Sequence, residues 1–217
     1  MNDWERALDA ADKRLRQAGM VAVLGTLTSL LWGIWRGTRR PPGHSSGREI
    51  QALRTPAFYT LASVGFSGCC YALWRPLPLV LSRPLRALAL LLGSLLYFPG
   101  LVLVLWGRLT LAQMYNASST FGAQLYADQQ LVTHGPFARV RHPMYLGILL
   151  ATIGGIFLYR TWTFLVLLLQ LPVLVVRARW EEQALAAEFG AQWVAYRRRV
   201  PAWVPRSLRH AQEGEGR

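Results

Sequence analysis

Apolar positions in this chain gather into five runs instead of alternating with polar ones. They cover Gly19 to Trp35, Pro56 to Trp74, about Ala87 to Trp106, Met144 to Tyr159, and Trp162 to Val176. A helix needs about 20 apolar residues to cross about 30 Å of hydrocarbon, and the first three runs come close. The last two are shorter, so they either extend into flanking polar residues or cross where the membrane is thin. Only Arg160 and Thr161 separate these two runs, which predicts a pair of antiparallel helices. Gly147, Ala151 and Gly155 recur every four residues and predict a face where a neighbouring helix comes close. Pro99 predicts a kink in the third run. Before the first run, residues 1–18 carry four acids and four bases, the pattern of a short amphipathic helix leading into the membrane. They lack the basic start and small-residue cleavage site of a signal peptide, so the first run is expected to be a retained span.

Composition agrees with a membrane protein. Of the 217 residues 53% are hydrophobic and 16% charged, against about 25% charged in ordinary soluble domains. Asp128 is the only acid between residues 50 and 180. Trp32, Trp35, Trp74, Trp106 and Trp162 lie near run ends, where an interfacial aromatic belt would place them. The fold class expected is therefore all-α, an integral membrane bundle of about five transmembrane helices with an amphipathic cytoplasmic helix at the C-terminal end. The expected division is 1–130, an N-terminal membrane region with three spans; 131–205, a C-terminal region with the helical hairpin; and 206–217, a flexible tail. The 37–55 loop and the last nine residues are expected to be flexible by composition.

The net charge of +13 would suit nucleic acid, but the arginines cluster beside apolar runs, as at Arg36, Arg39 and Arg40. Membrane topology and anionic headgroups explain such clusters better, so membrane lipids are the expected partner and nucleic acid is not. Five spans place 16 of the 24 Lys and Arg on one side, together with the tail from Arg177. That bias predicts a multi-pass protein with a cytoplasmic C-terminus. The adjacent Cys69 and Cys70 read as buried free thiols, and the four histidines show no metal-ligand spacing.

Two regions carry candidate chemistry. From Leu131 to Gly147, Gly135-Pro136 makes a turn, Arg139 and Arg141 follow, and His142-Pro143 opens the fourth run. Proline suits the first helical position, and the backbone donors of that helix start are placed to meet an anion. Read alone, the same residues also serve as interfacial anchors. From Arg177 to Pro205, Arg177 and Glu181 share a helix face, and Leu185, Phe189, Trp193, Tyr196 and Val200 form an apolar stripe. That stripe either lies on the membrane or caps a cavity.

Together the two regions resemble the isoprenylcysteine carboxyl methyltransferases and the related phospholipid methyltransferases. The resemblance rests on Gly135-Pro136-Phe137, Val140-Arg141-His142-Pro143-x-Tyr145-x-Gly147, Arg177-x-x-x-Glu181-Glu182, Phe189-Gly190, Tyr196, Arg199-Val200-Pro201 and Pro205. It covers about 75 residues, all C-terminal.

The resemblance implies a membrane methyltransferase using S-adenosylmethionine, bound between the last spans and the C-terminal helix. Leu131, Val132 and Phe137 would line the adenosine side, with Phe137 standing where many members have tyrosine. His142, Pro143 and Tyr145 would hold the cofactor at the helix start, with Glu181 on its polar groups. Gln129 and Gln130 also fall where the family contacts cofactor. Arg177 and Glu181 would carry the catalytic roles, Arg177 by addressing the acceptor. That acceptor is a lipophilic or small molecule bearing a carboxylate, amine or thiol; for the last two, Glu181, Glu182 or His142 could take the proton. A membrane reductase of the sterol-reductase type, using NADPH, and a non-catalytic membrane protein keeping the fold are the alternatives.

Overall fold

The computed structural model describes residues 3–47, 56–116 and 122–205. All five apolar runs form helices. Helix α1 is Asp3–Gly37, α2 Pro56–Ala72, α3 Arg83–Leu111, α4 Pro143–Tyr159, α5 Trp162–Leu169 and α6 Leu171–Arg199. The fifth run is divided at Gln170 between α5 and the start of α6, so the last span and the C-terminal amphipathic segment are nearly continuous. Similarly, the charged N-terminal stretch and the first span are one helix, α1. Among the described residues, three stretches are long and apolar enough to cross a membrane: α1, α3 with its following turn, and α5 joined to α6. Pro99 lies inside α3 without ending it.

The centre of the bundle is the contact of α3 with α4. A Cβ on Gly100 would sit 2.5 Å from the Ala151 backbone nitrogen, and one on Gly93 would sit 2.8 Å from that of Leu158. These pairings run in opposite order, so the two helices are antiparallel with backbones nearly touching. The small face on α4 comprises Gly147, Ala151 and Gly154. The expected third member, Gly155, instead faces the Phe164 ring of α5. Two turns of 3.6 residues make 7.2, so the residue seven positions on, and not the one eight positions on, returns under the first.

Helix α1 runs parallel to α3, with Gly19 against Tyr97 and Gly33 against Arg108. Tyr97 and Tyr159 donate hydroxyl hydrogen bonds to the Gly19 and Arg16 carbonyls, 3.2 and 2.9 Å long. At the same end, the buried Asp12 carboxylate binds Arg16, Arg86 and Arg160, joining α1, α3 and the α4–α5 turn. In that turn Arg160 takes a left-handed conformation, φ 55°. Outward faces remain apolar: Leu95, Val102 and Leu109 of α3 are 60%, 63% and 61% exposed. A stripe of that kind suits lipid and not water.

At the opposite end, strand β1 (Pro42–Gly47) pairs antiparallel with β2 (Gly122–Tyr126). The sequence reading expects flexibility over 37–55, but residues 42–47 are held as a strand by backbone bonds to a segment about eighty residues away. Residues 48–55 and the 206–217 tail lie outside the described residues. Ala123 and Leu125 of β2 pack on Ala184 of α6, so the small sheet closes this end of the bundle.

Candidate active site

At the sheet end, the bundle encloses a cavity of about 460 Å³ between α1, the end of α3, β2, the 129–137 segment, the start of α4, and α6. Every site residue expected from the sequence lines it: Leu131, Val132, Phe137, His142, Pro143, Tyr145, Arg177 and Glu181, with Gln129 and Gln130.

Local geometry explains the convergence. Gly135 takes a left-handed conformation, φ +61°, and opens a short 3-10 turn over Gly135–Ala138 that buries Pro136 and Phe137. The chain then enters α4 through His142 and Pro143. The backbone N–H groups of Arg141 and His142 donate to the Pro201 and Ala202 carbonyls at 2.9 and 3.1 Å. These two donors therefore hold the C-terminal segment in place and are not turned to a ligand, which narrows the anion-binding expectation for this helix start. Trp203 follows and lies 5.5 Å from the His142 ring and 6.3 Å from that of Tyr145. His142 and Tyr145 stack at 5.7 Å with 22° between planes.

Neighbouring glutamates on α6 divide the polar work. Glu181 faces the cavity, where it accepts a hydrogen bond from the Tyr145 hydroxyl and its other oxygen lies 3.9 Å from His142 Nδ1. Glu182, about 100° further round the helix, accepts from Arg141 Nε at 2.9 Å and binds His142 Nε2 at 2.9 Å. Arg141 also donates to the Val200 carbonyl at 2.7 Å. Burial raises the Glu182 pKa, but the hydrogen bonds from His142 and Arg141 outweigh it and hold the carboxyl below its ordinary value. Glu182 is therefore a carboxylate already bound on two sides, which removes it from the candidate bases. With Nε2–H donating to Glu182, Nδ1 is the ring nitrogen turned towards Glu181.

The Arg177 guanidinium lies 5.7 Å over the Tyr145 ring, one turn before Glu181. The apolar stripe of α6 faces inward. Gly190, φ 47°, breaks the helical path, and beyond it Trp193 and Tyr196 pack with Val200 against Leu131. The stripe therefore caps the cavity. Tyr196 donates to the Phe137 carbonyl at 2.7 Å, and burial pushes its pKa up to about 12, so it stays a neutral donor.

Sequence reasoning missed the wall formed by Tyr115, Asn116, Ala123 and Leu125, and the apolar side supplied by Leu27, Leu30, Leu31 and Ile34 of α1. The inward turn of Tyr115 had no local signal. Burial raises its pKa to about 12, with Arg177 and Arg108 pulling the other way. Arg139, which the sequence grouped with Arg141, is exposed and does not line the cavity.

The described residues form a helical bundle with helices long and apolar enough to cross a membrane and a largely apolar cavity at one end, lined on one side by His142, Tyr145, Arg177 and Glu181. Residues 88–192, from α3 into α6, match the phospholipid methyltransferase family. No curated protein matches the chain.

Proposed function

We propose that the cavity binds S-adenosylmethionine and that the protein methylates a lipophilic or small acceptor carrying a carboxylate, amine or thiol. Such an activity would be like that of the isoprenylcysteine carboxyl methyltransferases. The observation that carries this reading is the Glu181 carboxylate, held by Tyr145 and facing His142 inside an aromatic-walled cavity within the family-matched region. The residues fit the cofactor. A carboxylate suits its cationic groups, and the stacked His142 and Tyr145 rings that line the cavity offer flat surface. Trp193 Nε1 is buried without a hydrogen-bond partner among the described residues, so a ligand acceptor would satisfy it. A volume of about 460 Å³ lies within the usual range for small-molecule sites, about 300–1,000 Å³.

When bound, the cofactor supplies an electrophilic methyl group, whose transfer depends chiefly on holding donor and acceptor in line. Arg177 addresses an anionic acceptor by charge-assisted hydrogen bonds. A carboxylate acceptor needs no base. An amine or thiol must lose a proton, and His142 Nδ1 is the group suited to receive it, since Glu182 is already engaged. The α1 residues Leu27, Leu30, Leu31 and Ile34 give an apolar chain a lateral route from the bilayer. The arginine-rich end of the bundle, and with it the cavity, faces the cytoplasm, consistent with the loop charge bias.

Calorimetric titration of the detergent-solubilised chain with S-adenosylmethionine, S-adenosylhomocysteine and NADPH tests this reading. The first two should bind saturably and NADPH should not. Glu181→Ala should weaken cofactor binding at least about tenfold, the scale of a lost hydrogen bond to charge, with an unchanged melting temperature. Binding of NADPH alone would point to the reductase instead. Binding of none of the three would favour the non-catalytic alternative.

A further inference from the structure

A second cavity, of about 380 Å³, lies on the other side of Tyr115, between the end of α1 and the end of α3. Four arginines line it: Arg36, Arg39, Arg40 and Arg108. Arg108 is only 7% exposed, yet no carboxylate among the described residues pairs with it. Its Nε and Nη1 donate to the Ser29 and Ala112 carbonyls at 3.2 and 3.0 Å, and its guanidinium lies 4.7 Å from the Tyr115 ring centre. Gly33 makes this possible, because a Cβ there would stand 2.6 Å from the guanidinium carbon. Arg40 binds Asp128 at the rim. Arg39 rests over the Trp35 ring at 3.8 Å, and Arg36 has no carboxylate partner among the described residues. Three guanidiniums thus share one concavity with no acid among the described residues to balance them.

A buried cation without a counter-charge is costly unless an anion is supplied, and arginine forks match the oxygens of phosphate. Trp32 and Trp35, their rings 5.1 Å apart, line the same cavity at the run end where an interfacial belt is expected. We propose that this cavity is an anion site for a phosphate monoester, carried by a lipid whose chains lie in the bilayer beside Trp32 and Trp35. The site stands apart from the methyl-transfer reading, since only Tyr115 among these arginine and aromatic residues also lines the first cavity.

The test uses the full chain in dodecyl maltoside, which carries no phosphate, and native mass spectrometry with three probes: dioctanoyl phosphatidic acid, dioctanoylglycerol and inorganic phosphate. Phosphatidic acid should bind at one site, at least about tenfold more tightly than the uncharged glyceride. The exposed pair Arg36→Gln/Arg39→Gln should weaken it at least about tenfold at an unchanged melting temperature. The equal charge change Arg198→Gln/Arg199→Gln should shift it less than about twofold. Arg108→Gln should lose binding as well. Inorganic phosphate binding as tightly as the lipid would uphold the anion chemistry and assign a soluble source. Equal binding of glyceride and phosphatidic acid would overturn the proposal. So would equal losses in the two double variants, which would mean general attraction to a basic surface.

Discussion

Glu181 and Glu182 are chemically identical and adjacent, and the helix gives them different neighbours. Glu181 reaches the cavity, whereas Glu182 ties Arg141 and His142 to the C-terminal segment. Replacing Glu182 by Gln would leave Arg141 without a carboxylate partner among the described residues, beside the Val200 carbonyl, at a cost of about 3 kcal/mol, since breaking a desolvated pair is more expensive than losing a surface one. Because the folded carboxyl titrates below its ordinary value of 4.5, the unfolded chain binds the proton more readily. The contribution of Glu182 is therefore complete above about pH 4.5 and fades as pH falls through the folded value. Thermal scans in detergent from pH 6 down to pH 3 should show Glu182→Gln starting lower and losing less on acidification. A parallel decline in both proteins would assign the acid sensitivity elsewhere, with Asp12 the next carboxylate to replace.

Among the elements, α3 and α4 behave as one unit because glycine lets their backbones meet. Gly100→Leu should drive the pair apart and lower stability by at least about 1–3 kcal/mol, the range for overpacking. Gly65→Leu on α2, where an added Cβ meets nothing within 4 Å, should leave the melting temperature nearly unchanged and so serves as the contrast. Equal melting temperatures for the two variants would mean that the close approach does not hold the bundle together. The repeat of small residues on α4 was legible in the sequence. Its true register, with Gly154 in place of Gly155, depended on which way α4 is turned by Phe164 and Tyr97. Helix α6 teaches a similar lesson. Its stripe was visible as spacing, but only the break at Gly190 and the cover of β2 decide that it caps a cavity.

In the molecule as a whole, charge is sorted to two ends. The Asp12 cluster sits at one, and both cavities, the sheet and the arginines that line them sit at the other. A reporter fused after Arg217 should be reached by a membrane-impermeant reagent from the cytoplasmic face of sealed vesicles and protected from the other. The reverse pattern would invert the orientation and put the candidate active site outside.

The amino-acid sequence by itself determined the helical membrane class, the five apolar runs and the two motif regions, because each is a local property of composition, periodicity or a short ordered pattern. It also identified the part of the first cavity's lining that lies between Gln129 and Tyr145 and at Arg177 and Glu181, since those motifs are short ordered stretches, but not the walls supplied by α1, Tyr115 and β2. Tertiary structure alone decided that Glu182 is a tie and Glu181 a wall, that Val200 to Ala202 close over the Arg141–His142 turn, that Tyr115 divides two cavities, and that Arg108 is buried with no acid beside it among the described residues. These last arrangements join residues forty to eighty positions apart. Their partners are set by how whole helices pack, which no window along the chain can contain.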